Sequence, residues 1–332
     1  MGAGSLGQTL AALLAEDGNL VTLLSTSNST ARLIRAGSIR LRGLVSTDVS
    51  VAPPPPPAGG VAVTDDPADL PPEGGLLFAT KAHHLAAAAK AIRGLWPSEG
   101  NDAAWVAGVQ NGLLKDDILA EAFGAQRVIG AATTTSAERK ENGEILFTNP
   151  GITYLGDFDS PASARTHTVA RVLSGASLPA EAADNIRSVL WSKMCNAAGI
   201  FGVSLLTRTA GPRLLATEGR ARAYLSLIKE TATVGRAFGI ETADLTRFPP
   251  IRTFVDQPLQ DSVEGLLKQA ASTPEGGLVT YPSMLQDLLA GRSLEADEVF
   301  GDLVRRARSA DVMVPRLELV AHLISGLDSG RQ

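Results

Sequence analysis

The amino-acid sequence predicts an α/β domain followed by an all-α domain, and three observations support that prediction. The chain opens M-G-A-G-S-L-G, a glycine-rich stretch that leads directly into a helical pattern. Short apolar runs then alternate with helical segments, as in a mostly parallel, doubly wound sheet. Beyond about residue 179 the pattern is helical almost throughout. We therefore expect a sheet domain over residues 1–178, a helical domain over residues 179–325, and a site in the cleft between them.

The elements near the start follow from hydrophobic periodicity. Residues 8–16 (QTLAALLAE) have helical spacing and end at Asp17-Gly18. Residues 20–24 (LVTLL) are an apolar run of strand length. Residues 30–36 form a second helical pattern, and residues 39–42 (IRLR) alternate like a half-exposed strand. The prolines at 53–57 donate no ladder hydrogen bonds and predict a stiff polyproline loop. A proline-recognition motif is the less favoured alternative.

The remaining elements complete the two-domain pattern. Strands are expected at residues 75–80 (GLLFAT), 104–108 (AWVAG) and 127–131 (RVIGA), with helical segments between the first two. In the second half, breaks at residues 211–212, 249–250, 274–277 and 291 divide the helices. The most apolar stretch, residues 189–206, contains Lys193 and Asn196, so we interpret it as a buried helix and not a membrane span.

Composition and charge restrict the classes of partner. The chain has 332 residues, 44% of them hydrophobic and 20% charged, which indicates a globular protein. A net charge of −5 argues against nucleic acid or a membrane surface as partner. The single cysteine, Cys195, excludes an intramolecular disulfide, is expected to be a small buried residue, and fits a reducing cytoplasm. The start shows no signal-peptide pattern, so we expect a cytoplasmic location.

The glycines at the start match a dinucleotide-binding fingerprint. Gly2, Gly4 and Gly7 give G-x-G-x-x-G, whose turn brings a pyrophosphate to the N-terminus of the next helix. The fingerprint normally follows a strand, and only Met1 precedes it here. Loss of a central strand would cost several kcal/mol, at roughly 1.5–3 per buried apolar side chain. We therefore expect that upstream codons encode a short strand; without one, cofactor binding would be weak.

The end of the second strand bears on the form of the cofactor. An NAD-type unit carries Asp or Glu there to hold the ribose hydroxyls. This chain has Ser25, Thr26, Ser27 and Asn28, followed by two arginines, Arg32 and Arg35. Hydroxyl and guanidinium groups suit a 2′-phosphate, so NADP is the expected form. Alternatively, the two arginines are simply solvated helix residues.

Several further motifs follow one another along the chain. They are Lys81-Ala82-His83-His84, Gln110-Asn111-Gly112, Trp191-Ser192-Lys193, Tyr281-Pro282-Ser283-Met284-Leu285-Gln286-Asp287 with Ser283 twelve residues before Glu295, and Val304-Arg305-Arg306-Ala307-Arg308 before Val314-Pro315. From Gly2 to about Leu319 this series resembles the ketopantoate reductase (2-dehydropantoate 2-reductase) family. The resemblance implies NADPH-dependent reduction of ketopantoate to (R)-pantoate, for pantothenate and coenzyme A synthesis. It also implies a helical domain similar to the C-terminal domain of 6-phosphogluconate dehydrogenase.

The resemblance assigns roles to individual residues and implies no metal. The cofactor would contact Gly2, Ala3, Gly4, Ser5, Leu6, Gly7, Thr26, Lys81, Asn111, Ala137 and Glu295. Lys193 would be the general acid, with Asn111 and Glu295 as the other catalytic residues. The substrate would contact Lys193, Ala197, Phe201, Thr280 and Ser283.

The residue types suit this chemistry, although each also has a structural interpretation. Reduction of a ketone develops negative charge on oxygen, and a lysine can protonate that oxygen if burial lowers its pKa. On residue type alone, Lys193 could instead extend its amine into water. Ser283 and Gln286 fit a capping box, and Glu295 fits a first-turn acid at a helix dipole. His83 and His84 lack a recognisable catalytic partner and are expected at the pocket wall or surface.

Four positions depart from the family pattern. The family has asparagines at the positions of Ala197, Phe201 and Thr280, and often an arginine at that of Thr26. Asn196 is rotated by about 100° from the position of Ala197 on a helix. Each lost hydrogen bond costs roughly 0.5–1.5 kcal/mol. The alternatives are therefore a reductase of another, bulkier or less polar 2-oxo acid or carbonyl compound, or a non-catalytic NADP-binding homologue. We expect a monomer or homodimer.

Overall fold

A computed structural model describes residues 1–96, 104–272 and 281–329. The chain forms two compact units. The sheet unit comprises residues 1–110 and 115–186, and the helical unit comprises residues 111–114 and 187–332. The division falls after Ile186, eight residues beyond the expected boundary at 178, because a short strand at Ala180–Ala182 pairs within the sheet unit.

The sheet unit alternates strands and helices along the chain. Its strands are β1 (Val21–Leu24), β2 (Ser38–Gly43), β3 (Thr47–Ala52), β4 (Val61–Thr64), β5 (Gly75–Phe78), β6 (Trp105–Gly108), β7 (Gly130–Thr133), β8 (Ser136–Arg139), β9 (Ile145–Asn149), β10 (Thr153–Gly156) and β11 (Ala180–Ala182). Its helices are α1 (Ser5–Glu16), α2 (Ser27–Ala36), α3 (Leu85–Ile92), α4 (Leu114–Phe123) and α5 (Ala164–Gly175).

The strands pair in three groups. The largest has the order β1-β4-β3-β2-β9-β8, the second is β5-β6, and the third is β11-β10-β7. Among the described residues, five strand pairs are parallel and three, β2-β3, β8-β9 and β7-β10, are antiparallel. An isolated bridge between Val106 and Val128 links the second and third groups. The mostly parallel α/β class predicted from the sequence is confirmed.

Helix α1 packs against the large strand group through small and branched side chains. Ala12 and Ala15 are fully buried, and Leu10 and Leu13 join the same core as Leu41 and Val61. Because alanine adds only a methyl group, the helix backbone lies close to the strands. Each fully buried leucine contributes roughly 1.5–3 kcal/mol. This packing fixes the N-terminus of α1, and therefore the glycine turn that precedes it.

The first two residues lie between the edges of two strand groups. The Met1 amine donates to the carbonyl of Leu77 at 2.5 Å, and the Ala79 amide donates to the carbonyl of Met1 at 2.8 Å. On the other side, the Gly2 amide donates to the carbonyl of Leu24 at 2.9 Å. Met1 and Gly2 thus bridge the carboxyl ends of β1 and β5. Burial lowers the pKa of the Met1 amine from 8.0 to about 5.

The helical unit is built around a long central helix. Its helices are α6 (Ile186–Thr207), α7 (Glu218–Ala237), α8 (Ile251–Asp256), α9 (Leu259–Ser272), α10 (Ser283–Leu289), α11 (Asp302–Ser309) and α12 (Pro315–Ser329), with a π-helical turn at Asp297–Gly301. Helix α6 is long and apolar enough to cross a membrane by composition, but 78% of that window is buried in the structure. It is a core helix, as its internal Lys193 and Asn196 predicted.

The structure refines several element predictions. The helix expected at residues 8–16 begins earlier, at Ser5, and the prolines at 53–57 lie between β3 and β4. The strand expected at 127–131 lies at Gly130–Thr133, preceded by a 3-10 turn. Six short strands, β3, β4 and β8 to β11, were not predicted from the sequence. Of the expected helix breaks, residues 274–277 lie outside the described residues.

Candidate active site

The glycine turn before α1 requires glycine at two of its three fingerprint positions for the fold itself. Gly2 has a φ of +102°, and a Cβ there would lie 2.8 Å from the Thr80 nitrogen. A Cβ on Gly7 would lie 1.9 Å from the carbonyl oxygen of Gly2. These contacts hold the turn tight against β5 and keep the chain close to the first turn of α1.

Gly4 differs from the other two glycines, because the protein's own packing would accept a side chain there. A Cβ on Gly4 would meet only the Ala79 carbonyl, at an ordinary 3.8 Å. Gly4 is the N-cap of α1, no side chain caps the helix, and its first turn holds no acidic residue. The turn therefore leaves the positive end of α1 accessible to an anion. The residues present fit a dinucleotide diphosphate.

Two side chains hold the turn from within the sheet unit. The Gln8 side-chain nitrogen Nε2 donates to the main-chain carbonyl of Ala3 at 2.8 Å, and the Arg139 guanidinium donates to the same oxygen. The Thr9 hydroxyl donates to the Ser5 carbonyl at 2.9 Å. Strand β8, which carries Ala137 and Arg139, packs against α1. Ala137 is partly buried against the same core as α1.

The polar run after β1 begins helix α2. Thr26 is the exposed N-cap of this helix, and no acidic residue stands in its first turn. The Ser25 and Thr30 hydroxyls bond at 2.8 Å, and Arg32 reaches the Ser29 hydroxyl at 3.5 Å. Hydroxyl groups thus surround the positive end of α2, where a carboxylate would repel an anion.

Lys81 lies directly before a 3-10 turn at Ala82–His84 and is half-buried. The two histidines that follow are exposed and pack edge-on, with ring centroids 4.2 Å apart. They are surface residues, which was one of the two expected positions.

Four of the predicted site residues meet in the helical unit. The Lys193 amine on α6 donates to the side-chain oxygen Oδ1 of Asn111 at 3.4 Å. The Asn111 side-chain nitrogen Nδ2 donates to Glu295 Oε2 at 3.4 Å and to the Ser283 hydroxyl at 3.4 Å. We call these four residues the Lys193 cluster. Lys193 and Asn111 are half-buried, Ser283 is exposed, and Glu295 is only 3% exposed.

The local backbone explains why Asn111 reaches this position. Gly112 has a φ of +91°, and a Cβ there would lie 2.7 Å from the Glu298 carbonyl oxygen. Glu298 belongs to the π-helical turn that follows Glu295, a kind of distortion that is frequent at functional sites. Glycine therefore allows the Asn111 loop to approach this turn, which places Asn111 beside Glu295.

The structure decides two alternatives that the sequence left open. Pro282, not Ser283, is the N-cap of α10, and the Gln286 side-chain amide donates to the main-chain carbonyl of Tyr281. The capping-box interpretation of Ser283 is therefore wrong, because no side chain caps α10, and the Ser283 hydroxyl accepts from the Asn111 side chain. Glu295 lies just before the helical turns, as a first-turn acid would, but its side chain bonds to Asn111.

The face of α6 that continues from Lys193 is apolar. Ala197 and Phe201 follow Lys193 by one and two turns and are 8% and 7% exposed. Asn196 does not supply the missing amide on this face, since its side-chain oxygen accepts from the Tyr224 hydroxyl at 2.7 Å. Cys195 is fully buried, and burial raises its pKa. Thr280 lies outside the described residues.

Two residues near these sites were missed by sequence reasoning. Burial and the nearby carboxylates of Glu295 and Asp297 raise the pKa of Glu298. The run of three acids at 295, 297 and 298 was a visible signal. Arg139 at the glycine turn gave no sequence signal, because 136 residues separate it from Ala3. Among the described residues, no group of three His, Cys, Asp or Glu could hold a metal ion.

Comparison with known families agrees with this architecture. The model described as "Ketopantoate reductase PanE/ApbA" matches residues 1–160, and the one described as "Ketopantoate reductase PanE/ApbA C terminal" matches residues 185–328. The fold and the matched models define an oxidoreductase. The chain belongs to the ketopantoate reductase family.

Relatives match over nearly the whole chain. A 2-dehydropantoate 2-reductase of Archaeoglobus fulgidus is 25% identical over 99% of this chain and 97% of its own. One of Pyrococcus abyssi is 26% identical over 99% of this chain and 97% of its own. A PanE/ApbA family ketopantoate reductase structure from Ralstonia eutropha superposes with a TM-score of 0.78 at 24% identity, covering 100% of this chain and 98% of that one.

The same fold also occurs in a dehydrogenase of another name. A structure of D-mandelate dehydrogenase with NADH and anilino(oxo)acetate has a TM-score of 0.79 at 19% identity, over 99% of this chain and 97% of that one. At this identity, the likeness shows the fold alone.

Proposed function

We propose that the protein reduces a 2-oxo acid with NADPH and that ketopantoate, reduced to (R)-pantoate, is its substrate. The observation that carries this proposal is the Lys193 cluster, in which a lysine, an amide, a hydroxyl and a buried carboxylate are linked by hydrogen bonds. The names of the curated relatives support ketopantoate as the substrate. A role in pantothenate synthesis follows from that substrate.

The residues of the sheet unit fit the cofactor by their chemistry. Gly2, Ala3, Gly4, Ser5, Leu6 and Gly7 would hold the diphosphate, with Thr26 near the ribose phosphate and Lys81 and Ala137 as further contacts. The family resemblance adds Asn111 and Glu295, which belong to the helical unit, to the expected cofactor contacts. The hydroxyl-rich, acid-free start of α2 supports the phosphorylated form, NADP. A reduced nicotinamide supplies the hydride when it is bound.

The Lys193 cluster supplies the proton and orients the groups that act on the substrate. As the carbonyl carbon accepts hydride, its oxygen gains negative charge, which the Lys193 ammonium stabilises and then protonates. Water returns the proton to Lys193. Asn111 bonds to Lys193 and so fixes its amine, and the Ser283 hydroxyl offers a further hydrogen bond to the substrate. Glu295 accepts from Asn111 and holds that amide in one orientation.

The test follows NADPH oxidation with ketopantoate and with a panel of other 2-oxo acids. We expect turnover of ketopantoate and a fall in kcat of at least about 100-fold in Lys193→Met, at the lower limit for general acid catalysis. Lys229→Met is the matched control, since Lys229 bonds the carbonyls of Val255 and Gln257 elsewhere in the helical unit. Binding of NADPH without turnover of any 2-oxo acid would indicate a non-catalytic homologue instead.

A second candidate is the reduction of a 2-oxo acid with a larger apolar substituent. The buried Ala197 and Phe201 on the Lys193 face of α6 favour it, because they offer contact area and no hydrogen bonds. Under this hypothesis, phenylglyoxylate or a branched-chain 2-oxo acid has a higher kcat/KM than ketopantoate. Ala197→Asn with Phe201→Asn should shift the ratio toward ketopantoate. A cytoplasmic location and a monomeric or homodimeric state stay predictions.

A further inference from the structure

Arg139 places a positive charge at the glycine turn and has no role in the scheme above. It ends β8, and its half-buried guanidinium donates a hydrogen bond to the Ala3 carbonyl. The two residues are 136 positions apart, so the contact is made by the tertiary fold. The alternation of side chains along β8 puts Arg139 on the same face as Ala137, which packs on the α1 core.

The contact with Ala3 brings a charged group to the glycine turn. The Ala3 carbonyl already accepts from the Gln8 amide at 2.8 Å, which satisfies this neutral group. A guanidinium adds a full charge and a planar fork of five N–H donors. Glu138 and Lys140, its sequence neighbours, form an exposed ion pair with each other at 3.1 Å. The fold therefore brings a cation to the turn that precedes the N-terminus of α1.

We propose that Arg139 is a further cofactor-binding residue that contacts the diphosphate of the dinucleotide. The proposal rests on the proposed function, because it assumes a dinucleotide at the glycine turn. A diphosphate carries about two negative charges, whereas a helix N-terminus offers about half a positive charge. An arginine fork binds phosphate oxygens with charge-assisted bonds and loses little freedom, since Ala3 already orients it.

The experiment measures equilibrium binding to the purified full-length chain. The probes are NADPH, ADP-ribose, which has the diphosphate but neither nicotinamide nor 2′-phosphate, and adenosine 2′-phosphate, which has no diphosphate. The variants are Arg139→Gln, Arg139→Lys and, as the matched control, Lys140→Gln. Each dissociation constant is measured at several salt concentrations.

We expect Arg139→Gln to raise the Kd of NADPH and of ADP-ribose by the same factor, about 10-fold to 100-fold, as for a bond to a charged group. The salt dependence of ADP-ribose binding should become shallower, which loss of a merely structural bond would not cause. Arg139→Lys should give an intermediate Kd. Lys140→Gln should leave all constants unchanged, and adenosine 2′-phosphate should bind Arg139→Gln as it binds the unaltered chain.

Two results would overturn the inference. One is a Kd for ADP-ribose in Arg139→Gln within twofold of the unaltered chain. The other is equal weakening of all three probes with an unchanged salt dependence, which would mean that Arg139 only shapes the turn. If the unaltered chain reduces a 2-oxo acid and either result holds, the inference fails and the proposed function stands. If the unaltered chain binds neither NADPH nor ADP-ribose, both fail.

Discussion

Asn111 links the other three residues of the Lys193 cluster, since it bonds to Lys193, Ser283 and Glu295. An amide serves this purpose because it donates through nitrogen and accepts through oxygen at the same time. Aspartate would lose both donors, and leucine would leave the buried Glu295 carboxylate without this bond. The residue that looks least reactive in the cluster therefore sets its geometry.

Gly4 gives a direct test of whether the glycine turn serves a ligand. A Cβ at Gly4 meets only ordinary contact at 3.8 Å, whereas one at Gly7 would lie 1.9 Å from a carbonyl oxygen. We expect Gly4→Ala to leave the melting temperature nearly unchanged but to raise the Kd of NADPH by about tenfold or more, equivalent to 1.4 kcal/mol. Gly7→Ala, the comparison variant, should lower the melting temperature as well. Calorimetry and titration measure the two effects. Unchanged NADPH affinity in a folded Gly4→Ala would contradict the cofactor site.

Glu298 links the candidate site to the pH dependence of stability. Burial, with Glu295 and Asp297 nearby, raises its pKa in the folded state. A carboxyl whose folded pKa is raised stabilises the fold below its unfolded pKa of about 4.3, and that contribution is lost as pH rises through the folded pKa. Glu298→Gln cannot ionise. Its stability relative to the unaltered chain should therefore increase from pH 4 to pH 7 in urea unfolding. A constant difference across that range would show that Glu298 is not coupled in this way.

At the scale of elements, the π-helical turn and the Asn111 loop depend on each other. Gly112 has a φ of +91°, and its missing side chain leaves room for the Glu298 carbonyl. Ala at this position meets both backbone strain of about 1–2 kcal/mol and a contact of 2.7 Å with main-chain atoms. We expect the loop to relieve the contact by moving away from the π-helical turn, which would carry Asn111 away from Glu295.

We therefore expect Gly112→Ala to reduce kcat/KM strongly, because Asn111 loses its position. Gly291→Ala is the matched control: its φ of +67° carries similar strain, but no atom lies within 4 Å of the added Cβ. Strain should lower the melting temperature of both variants, and the added contact should lower that of Gly112→Ala further. Measured at a temperature where both are folded, only Gly112→Ala should lose activity with the 2-oxo acid that the enzyme turns over. Equal activity of the two variants would refute the positional role of Gly112.

The sequence predicted elements better where they are periodic and local. Helix α1 and strand β1 follow from their own residues, and Lys193, Asn111, Ser283 and Glu295 follow from motifs. Strands β8 and β9 do not, because Ala137 and Phe147 become strand residues by pairing with each other. Likewise, no local pattern shows that Asn196 turns toward Tyr224 or that Arg139 reaches Ala3, since both contacts depend on the tertiary fold.

At the scale of the molecule, the residues of the proposed function are divided between the two units. The chain enters the helical unit after Gln110, returns to the sheet unit at Lys115 and enters the helical unit again after Ile186. The first crossing places Asn111 in the unit that holds Lys193. The sheet unit keeps the glycine turn and Arg139. Under the proposed function, substitutions at the glycine turn should change cofactor affinity, and substitution of Lys193 should change the chemical step.

The bridge made by Met1 and Gly2 gives a prediction for the stability of the whole sheet unit. The Met1 amine is buried, and its pKa falls from 8.0 to about 5. Between these pH values the unfolded chain binds the proton and the folded chain does not. Stability should therefore rise from pH 5 to pH 8, by at most about 4 kcal/mol. Urea unfolding at constant ionic strength measures this rise.

An extension of the chain tests whether β1 and β5 accept a strand between them. Five added β-branched residues ahead of Met1 would replace the amine by a peptide N–H to Leu77 and run along both strands. We expect the extended chain to be more stable by several kcal/mol, at roughly 1.5–3 per buried side chain, and to lose this part of the pH dependence. A Gly-Ser extension of equal length, which removes the buried amine without adding apolar side chains, is the control. If both extensions have the same stability, β1 and β5 do not accept a strand between them.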